Sequence, residues 1–559
     1  MERDLSETAR RRFLAGAAAV GSAAVFGATG SAAAEDRAID VAGFGPVAVT
    51  PKDGRYPDLV RGLNQRWIGR PRAVYLVGST AQVVRVVQDT VREGKRISVH
   101  GGGHCFEDFV FNPKVEVVVD MSEMKRVYFD VGRNAFAVEA GSTLLDVYET
   151  LYRLWGVTVP AGVCYNVGMG GHISGGGWGM LCRQYGLSVD HLYAVEVVVV
   201  DAAGTARAVV ATRERSDPNR DLWWAHTGGG GGNFGVVTRY WFRSPGATGT
   251  DPAALLPRPP SAVLVSAVSW PWREMTREGF ATLVKNFSVW HMANSAPGNR
   301  YEGLCALLTL THRSHGEISL LTQSDATVHD AERLHADFVA AIGDGVGIPR
   351  GSVTAPFGEH GPLPEFTAPK RIPWLQATRL LGGAVGTGGN VNDPSQRADH
   401  KSAYLRANIP DRHIEVLYEN LNSSAIDNPS AMAQFHSFGG MVNATASGAT
   451  ASAHRDSAMK MVMYLQWADR ADDVRYVSWL RNFYRALYAD TGGVPVPDAV
   501  TDGCYVNYPD IDLSDARYNR SGVPWYTLYY KDNYPRLQRV KARWDPRDTF
   551  RHDQSIRLP

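Results

Sequence analysis

The sequence predicts an α+β protein: a glycine-loop-bearing unit, then a sheet covered by helices on one face. Three observations predict it. Short β-branched runs alternate with helix-patterned stretches across residues 55–245. A Gly/Pro/Ala-rich break lies between Ser244 and Pro260, and longer apolar runs alternate with helices from 255 to 500. From Gly503 the texture turns tyrosine-rich, and residues 501–559 form a third segment.

The elements follow in order. Ala73-Val-Tyr-Leu-Val77 reads as a strand, and Thr80 is the expected N-cap of a helix from Ala81 to Glu93. Ile97-Ser-Val99 and the β-branched run Val115 to Asp120 read as the next strands. Ala137 to Ala140 is a strand, followed by a capped helix from Thr143 to Leu154. Val195 to Val200 is a buried strand, ended by the turn Asp201-Ala-Ala-Gly204. After the break, Ala262 to Val268 and Gly303 to Leu310 are strands, whereas Phe280 to Ala293 and Asp330 to Ala341 are helices. The tail holds a helical stretch to Arg543 and then W-D-P.

Composition narrows the function. The 559 residues carry a net charge of +1, which offers no electrostatic footprint for nucleic acid or acidic lipid. The five cysteines are scattered and include no C-x-x-C, so neither a disulfide framework nor a zinc ribbon is indicated. At the N-terminus, Arg10-Arg-Arg12 precedes Phe13-Leu14 and a weakly apolar run, with a small-residue site at Ala32-Ala-Ala34. That run is too short to span a bilayer. Residues 1–34 read as a twin-arginine signal peptide, so the expected protein is secreted after folding, with any cofactor already loaded.

Three glycine clusters carry the chemistry. The first is V-H-G-G-G-H-C-F-E-D-F, Val99 to Phe109. Histidines four apart share a metal on a helix, but three intervening glycines disfavour a helix, which leaves a loop metal site, a plain turn or a phosphate cradle. The second cluster packs seven glycines into the sixteen residues that begin at Cys164. The third runs from Thr227-Gly228 through Gly232-Asn-Phe-Gly235 to Val237-Thr238. None is a G-x-G-x-x-G opening a Rossmann helix. Three such loops in one unit point to a long ligand bearing phosphates, since glycine amides can turn inward as an anion nest.

These clusters, A-G-V-C-Y, A-H-T-G-G-G-G-G-N-F-G, K-S-A-Y, the tail motif C-Y-V-N-Y-P-D (Cys504 to Asp510) and W-D-P-R-D-T-F together resemble the berberine-bridge-enzyme-like FAD oxidases. These belong to the vanillyl-alcohol-oxidase, PCMH-type flavoprotein fold, and the flavour is that of actinobacterial sugar and secondary-metabolite oxidases. The resemblance implies a two-subdomain FAD-binding domain, a substrate domain with an antiparallel sheet covered by helices, and a C-terminal segment returning to the FAD domain. It implies FAD attached twice, through His104 to the 8α-methyl group and through Cys164 to C6. Gly101, Gly102, Gly103 and Cys105 would flank the first link. Gly168, Gly170, Gly171, His172, Ser174, Gly175 and Gly176 would flank the second, with Val237 and Asn507 also at the cofactor. No resident metal is expected.

The same resemblance makes Tyr508 the base that takes a hydroxyl proton while hydride leaves for flavin N5, with Tyr505 beside it. On a regular strand Tyr505 and Asn507 share a side and Tyr508 points away, so a turn or bulge before Pro509 is required. Trp178 stands where plant relatives carry tyrosine and is expected to stack against a substrate ring. Val167 matches a position that gates oxygen, and valine there goes with O2 as acceptor and H2O2 as product. Phe438, in F-H-S-F-G-G, falls on a strand expected to face the flavin where relatives often have tyrosine, and His436 on the same face is the expected substitute. The expected activity is oxidation of a sugar hydroxyl or a glycosylated natural product. The alternative is dehydrogenation or oxidative cyclisation of a polyketide- or alkaloid-like metabolite.

Overall fold

A computed structural model describes residues 45–383, 393 and 395–559. The segment read as a signal peptide, residues 1–34, lies outside the described residues. Two sheets form between residues 45 and 245. The first, ordered β1-β2-β4-β3, consists of β1 (Val47–Val49), β2 (Ala73–Leu76), β3 (Ile97–His100) and β4 (Val117–Asp120). β4 runs parallel to both β2 and β3, and all four of its residues are buried, as expected for a β-branched strand covered on both faces. The helix Thr80–Arg92 provides the crossover from β2 to β3. Its cap is Ser79, not Thr80. Ser79 is extended and its hydroxyl accepts from the Gln82 amide, while Thr80 starts the helix and donates to Glu196 at 2.7 Å.

The second sheet is antiparallel, ordered β5-β6-β9-β7-β8: β5 (Val127–Asp130), β6 (Ala135–Glu139), β7 (Leu192–Val200), β8 (Ala206–Thr212) and β9 (Val236–Phe242). Between β6 and β7 the helix Leu144–Trp155 starts at Thr143, which forms a reciprocal capping box with Asp146. The helix ends at Gly156 in the left-handed region, φ 70°. Leu144, Val147, Tyr148 and Leu151 give it one buried stripe at helical spacing, each side chain contributing roughly 1.5–3 kcal/mol on burial.

The third sheet has eight strands, ordered β13-β10-β12-β11-β16-β17-β15, with β14 also paired to β10. They are β10 (Ala262–Pro271), β11 (Leu304–Thr311), β12 (Glu317–Asp325), β13 (Gly351–Ser352), β14 (Lys370–Pro373), β15 (Arg397–Leu405), β16 (Met432–Ser437) and β17 (Met459–Trp467). All pairings are antiparallel. Helices Arg277–Ala293 and Ala331–Gly343 dock on one face. His291 bonds Ser437 at 2.7 Å, and His335 bonds Ser266 and Ser324, each at 2.7 Å. Strand alternation then sends Met432, Gln434, His436, Lys460, Val462 and Tyr464 to the opposite face. That face is one wall of the central cavity.

Candidate active site

The first two glycine clusters meet backbone to backbone. A Cβ on Gly102 would lie 2.3 Å from the Gly168 nitrogen, and one on Gly168 would lie 2.4 Å from the Gly102 nitrogen. Only glycine on both loops permits the crossing. The second loop is hung from the body by backbone bonds: Leu144 N to Val167 O at 3.0 Å, and Gly170 N to Ala140 O at 2.9 Å. The crossing brings His104 and Cys164 onto the wall of one cavity of about 370 Å³. Asn166 connects them: the Cys164 thiol donates to its Oδ1 at 2.9 Å, and its side chain hydrogen-bonds the His104 imidazole. Burial pushes His104 down to about 4, so the ring is neutral, and its buried Nε2 has no hydrogen-bond partner among the described residues. Burial also raises the Cys164 thiol well above its ordinary value, and pushes neighbouring Cys105 up to about 12. His100 is engaged elsewhere, its Nδ1 lying 3.0 Å from Asp120.

The remaining glycine-loop residues divide into two groups. Gly101, Gly103, Gly168, Gly170, Gly171, His172, Ser174 and Val237 line the cavity. His172 Nε2 accepts from the Gly162 amide at 3.1 Å, and burial holds the ring down to about 3, which fixes it as a neutral acceptor. Ser174 donates to the carbonyls of Gly170 and Gly171. Gly175 and Gly176 do not line the cavity. A Cβ on Gly175 would fall 1.9 Å from Asn507 Oδ1, so this glycine admits the C-terminal segment. Gly176, at φ 115°, packs on Ser452. In the third cluster Gly230, Gly231 and Gly232 line the cavity, but Gly228 serves packing, because its Cβ would meet the Ser452 nitrogen at 2.3 Å.

Tyr505 to Tyr508 is a turn, closed by the Tyr508 amide donating to the Tyr505 carbonyl at 2.9 Å. The turn sets Tyr505, Asn507 and Tyr508 together on the cavity, which a regular strand could not do. Asn507 Nδ2 donates to the His172 carbonyl at 2.9 Å and to the Tyr505 oxygen at 3.0 Å. Beside Tyr508 stands Lys460, which sequence reasoning missed. Its Nζ is 3.5 Å from the Tyr508 oxygen and lies over the rings of Trp178, Tyr505 and Tyr508 at 4.0, 4.8 and 4.7 Å. Burial lowers Lys460 to about 7, against the charge of Glu359, and burial raises Glu359 to about 7. Tyr508 itself is raised well above its ordinary value by burial, and the Lys460 N–H aimed at its oxygen works in the opposite direction.

Two expectations about the substrate wall need correction. Phe438 lies outside the cavity. β16 ends at Ser437, the chain turns at Gly439 with φ 80°, and Phe438 packs 5.1 Å from the Tyr404 ring in the core. Its parity with His436 therefore never becomes a shared face. Trp178 lines the cavity, but its ring is already engaged by His436, stacked at 4.7 Å, and by Lys460. His436 and Val167 both line the cavity.

A cavity walled by crossed glycine loops on one side and by tyrosines and a buried lysine on the other fits a flavin-dependent oxidoreductase. The comparisons agree. Residues 71–209 match the FAD binding domain model, and residues 504–557 match the berberine and berberine-like model. The chain is 49% identical to aclacinomycin-N/aclacinomycin-A oxidase of Streptomyces galilaeus, over 99% of each chain. It is 31% identical to hexose oxidase of Chondrus crispus, over 90% of this chain and 93% of that one. A glycopeptide hexose oxidase solved in complex with teicoplanin superposes with a TM-score of 0.85 at 45% identity, covering 92% of this chain and 99% of the other. The chain belongs to the berberine-bridge-enzyme-like family of FAD-linked oxidoreductases. The site fits FAD on its own evidence: the orphaned His104 Nε2 is on the cavity wall, and the glycine crossing leaves main chain rather than side chains along it.

Proposed function

We propose that the protein is an exported FAD-dependent oxidase of a hydroxyl on a sugar or a glycosylated natural product, with FAD held covalently through His104 and Cys164. When bound, the flavin supplies the hydride acceptor and returns the electrons to O2, so that one alcohol and one O2 give one carbonyl and one H2O2. Tyr508 takes the hydroxyl proton. The observation that carries the reading is Lys460 Nζ at 3.5 Å from the Tyr508 oxygen, in the same cavity as His104 and Cys164.

The tyrosine and lysine act as one base. Phenol with neutral amine, and phenolate with ammonium, carry the same net charge, so Lys460 can hold the proton that makes Tyr508 a competent acceptor. Below about 7 Lys460 is already charged, and the pair loses that capacity. Asn507 and the Trp178 amide hold the Tyr505 hydroxyl, leaving Tyr508 as the group facing substrate. Val167 on the cavity wall supports O2 as acceptor. Kinship with a hexose oxidase and a glycopeptide hexose oxidase supports a sugar ring as the oxidised part. Arg10-Arg-Arg12 and the following apolar run support twin-arginine export.

Acid precipitation tests the links. The purified protein should stay yellow, and His104→Ala and Cys164→Ala should each retain flavin through the other side chain. Full release of flavin from either single variant would defeat the two-link reading. A peroxide-coupled screen of hexoses and glycosylated polyketides tests the substrate class.

A further inference from the structure

We infer that His436 is a specificity-determining residue: Gln434 holds its imidazole as the Nε2–H tautomer, and its free Nδ1 accepts a hydrogen bond from a substrate hydroxyl other than the one facing Tyr508. The inference rests on the sugar reading above and deepens it. It selects polyhydroxylated rings over deoxygenated ones.

Gln434 Oε1 lies 2.6 Å from His436 Nε2, and an amide oxygen can only accept, so Nε2 carries the proton. Gln434 in turn donates through its amide nitrogen to the Thr309 hydroxyl at 2.9 Å. Both residues point from β16 to the cavity face, where His436 lines the wall and is 3% exposed. Nδ1 is buried and has no partner among the described residues. The ring stacks on Trp178 at 4.7 Å, which fixes its plane. The reverse amide orientation would leave an N–H on that edge instead of a lone pair. Lys460, the cross-strand neighbour of His436, disfavours a further positive edge there.

The charged and titratable groups acting on the ring are Lys460 from β17 and His360 from the loop preceding β14, and Glu359 lies elsewhere on the cavity wall. Burial, with Lys460 and His360 adding to it, drives His436 well below its ordinary value. It therefore stays a neutral acceptor across the working range. A buried acceptor left unpaired keeps the cost of its lost hydration, so a substrate lacking the hydroxyl is penalised.

Steady-state kinetics on D-glucose, D-galactose and their monodeoxy derivatives test this. Wild type should prefer the parent sugar over one deoxy isomer by on the order of 10-fold in kcat/KM. His436→Phe, which keeps a ring on Trp178, should collapse that ratio, whereas His436→Asn, which places an amide oxygen near Nδ1, should restore part of it. In Gln434→Glu the carboxylate raises the imidazole pKa. The acceptor is then present above that value and lost below it, so the preference should disappear as pH falls. An unchanged ratio in His436→Phe would overturn the inference. If wild type oxidises none of these free sugars, the free-hexose arm of the proposed function fails and its glycosylated-product arm is untouched. The tautomer then decides His436, through 15N NMR of 15N-histidine-labelled holoenzyme with the signals assigned by their loss in His436→Phe. An unprotonated Nδ1 at pH 7 supports the inference and a protonated one overturns it.

Discussion

At the scale of single residues, function concentrates in groups that burial has pushed away from their solution behaviour. Lys460 is the clearest case, a fully enclosed amine lowered to about 7 beside a phenol. Tyr508→Phe should lower kcat/KM on the order of 100-fold or more, with an unchanged flavin spectrum, since general base catalysis contributes roughly 10²–10⁴-fold. Lys460→Met should move the acid limb of the kcat/KM profile from near 7 toward the raised ionisation of Tyr508. A profile that keeps its limb near 7 would show that another group is responsible. The same variant has a stability signature. The unfolded chain holds Lys460 near its ordinary value and the folded chain near 7, so between the two the unfolded state binds more protons. Stability from this group therefore rises with pH across that window. The stability difference between Lys460→Met and wild type should therefore shift in favour of wild type as pH rises from 7 toward 10 in thermal melts.

At the scale of elements, the glycine crossing is a structural demand with a direct test. Gly168→Ala would force a Cβ to 2.4 Å from the Gly102 nitrogen, whereas Gly54→Ala, away from the cavity, meets nothing within 4 Å. The first should lower both melting temperature and bound flavin, and the second should leave both near wild type. Equal behaviour of the two would refute the crossing. The crossing itself was not written in the sequence, because glycine density reveals that backbone must approach something but not what. Elements with local signals were legible. The Thr143 box and the β-branched run of β4 announce themselves through nearest-neighbour chemistry. The cap at Ser79 was misassigned by one residue, since Ser and Thr adjacent to each other are equivalent until the backbone chooses. Phe438 was misplaced because alternation extrapolates only while a strand lasts. Asn166, Glu359 and Lys460 carried no motif at all. A lone lysine in a strand reads as solvated, and only three-dimensional assembly shows that its surroundings are tyrosines and tryptophan.

At the scale of the whole molecule, the cavity has no wall that one stretch of chain completes alone. The C-terminal segment closes it by crossing back over residues 45–245. Tyr530 donates to the Gly229 carbonyl at 3.1 Å, and the Ile556 amide donates to Asn233 Oδ1 at 2.8 Å. Lys541 is the hub of this closure. Its ammonium is fully buried, 2.6 Å from Asp545, and donates to the carbonyls of Asn233 at 2.8 Å and Phe550 at 2.6 Å. Asn233 in turn donates to the carbonyls of Gly229 and Gly230, so one side chain ties the tail to the third glycine cluster. Lys541→Met leaves Asp545 as a buried charge without its partner, which costs roughly 3–5 kcal/mol. The loss should appear as one lowered calorimetric transition, because tail, glycine loops and eight-stranded sheet share a single cavity. It should also increase cleavage by trypsin after Arg547 or Arg551, and flavin fluorescence as the third cluster loosens. A separate early transition for the tail, with the main one unmoved, would show that the segment docks on the finished fold and plays no part in completing it.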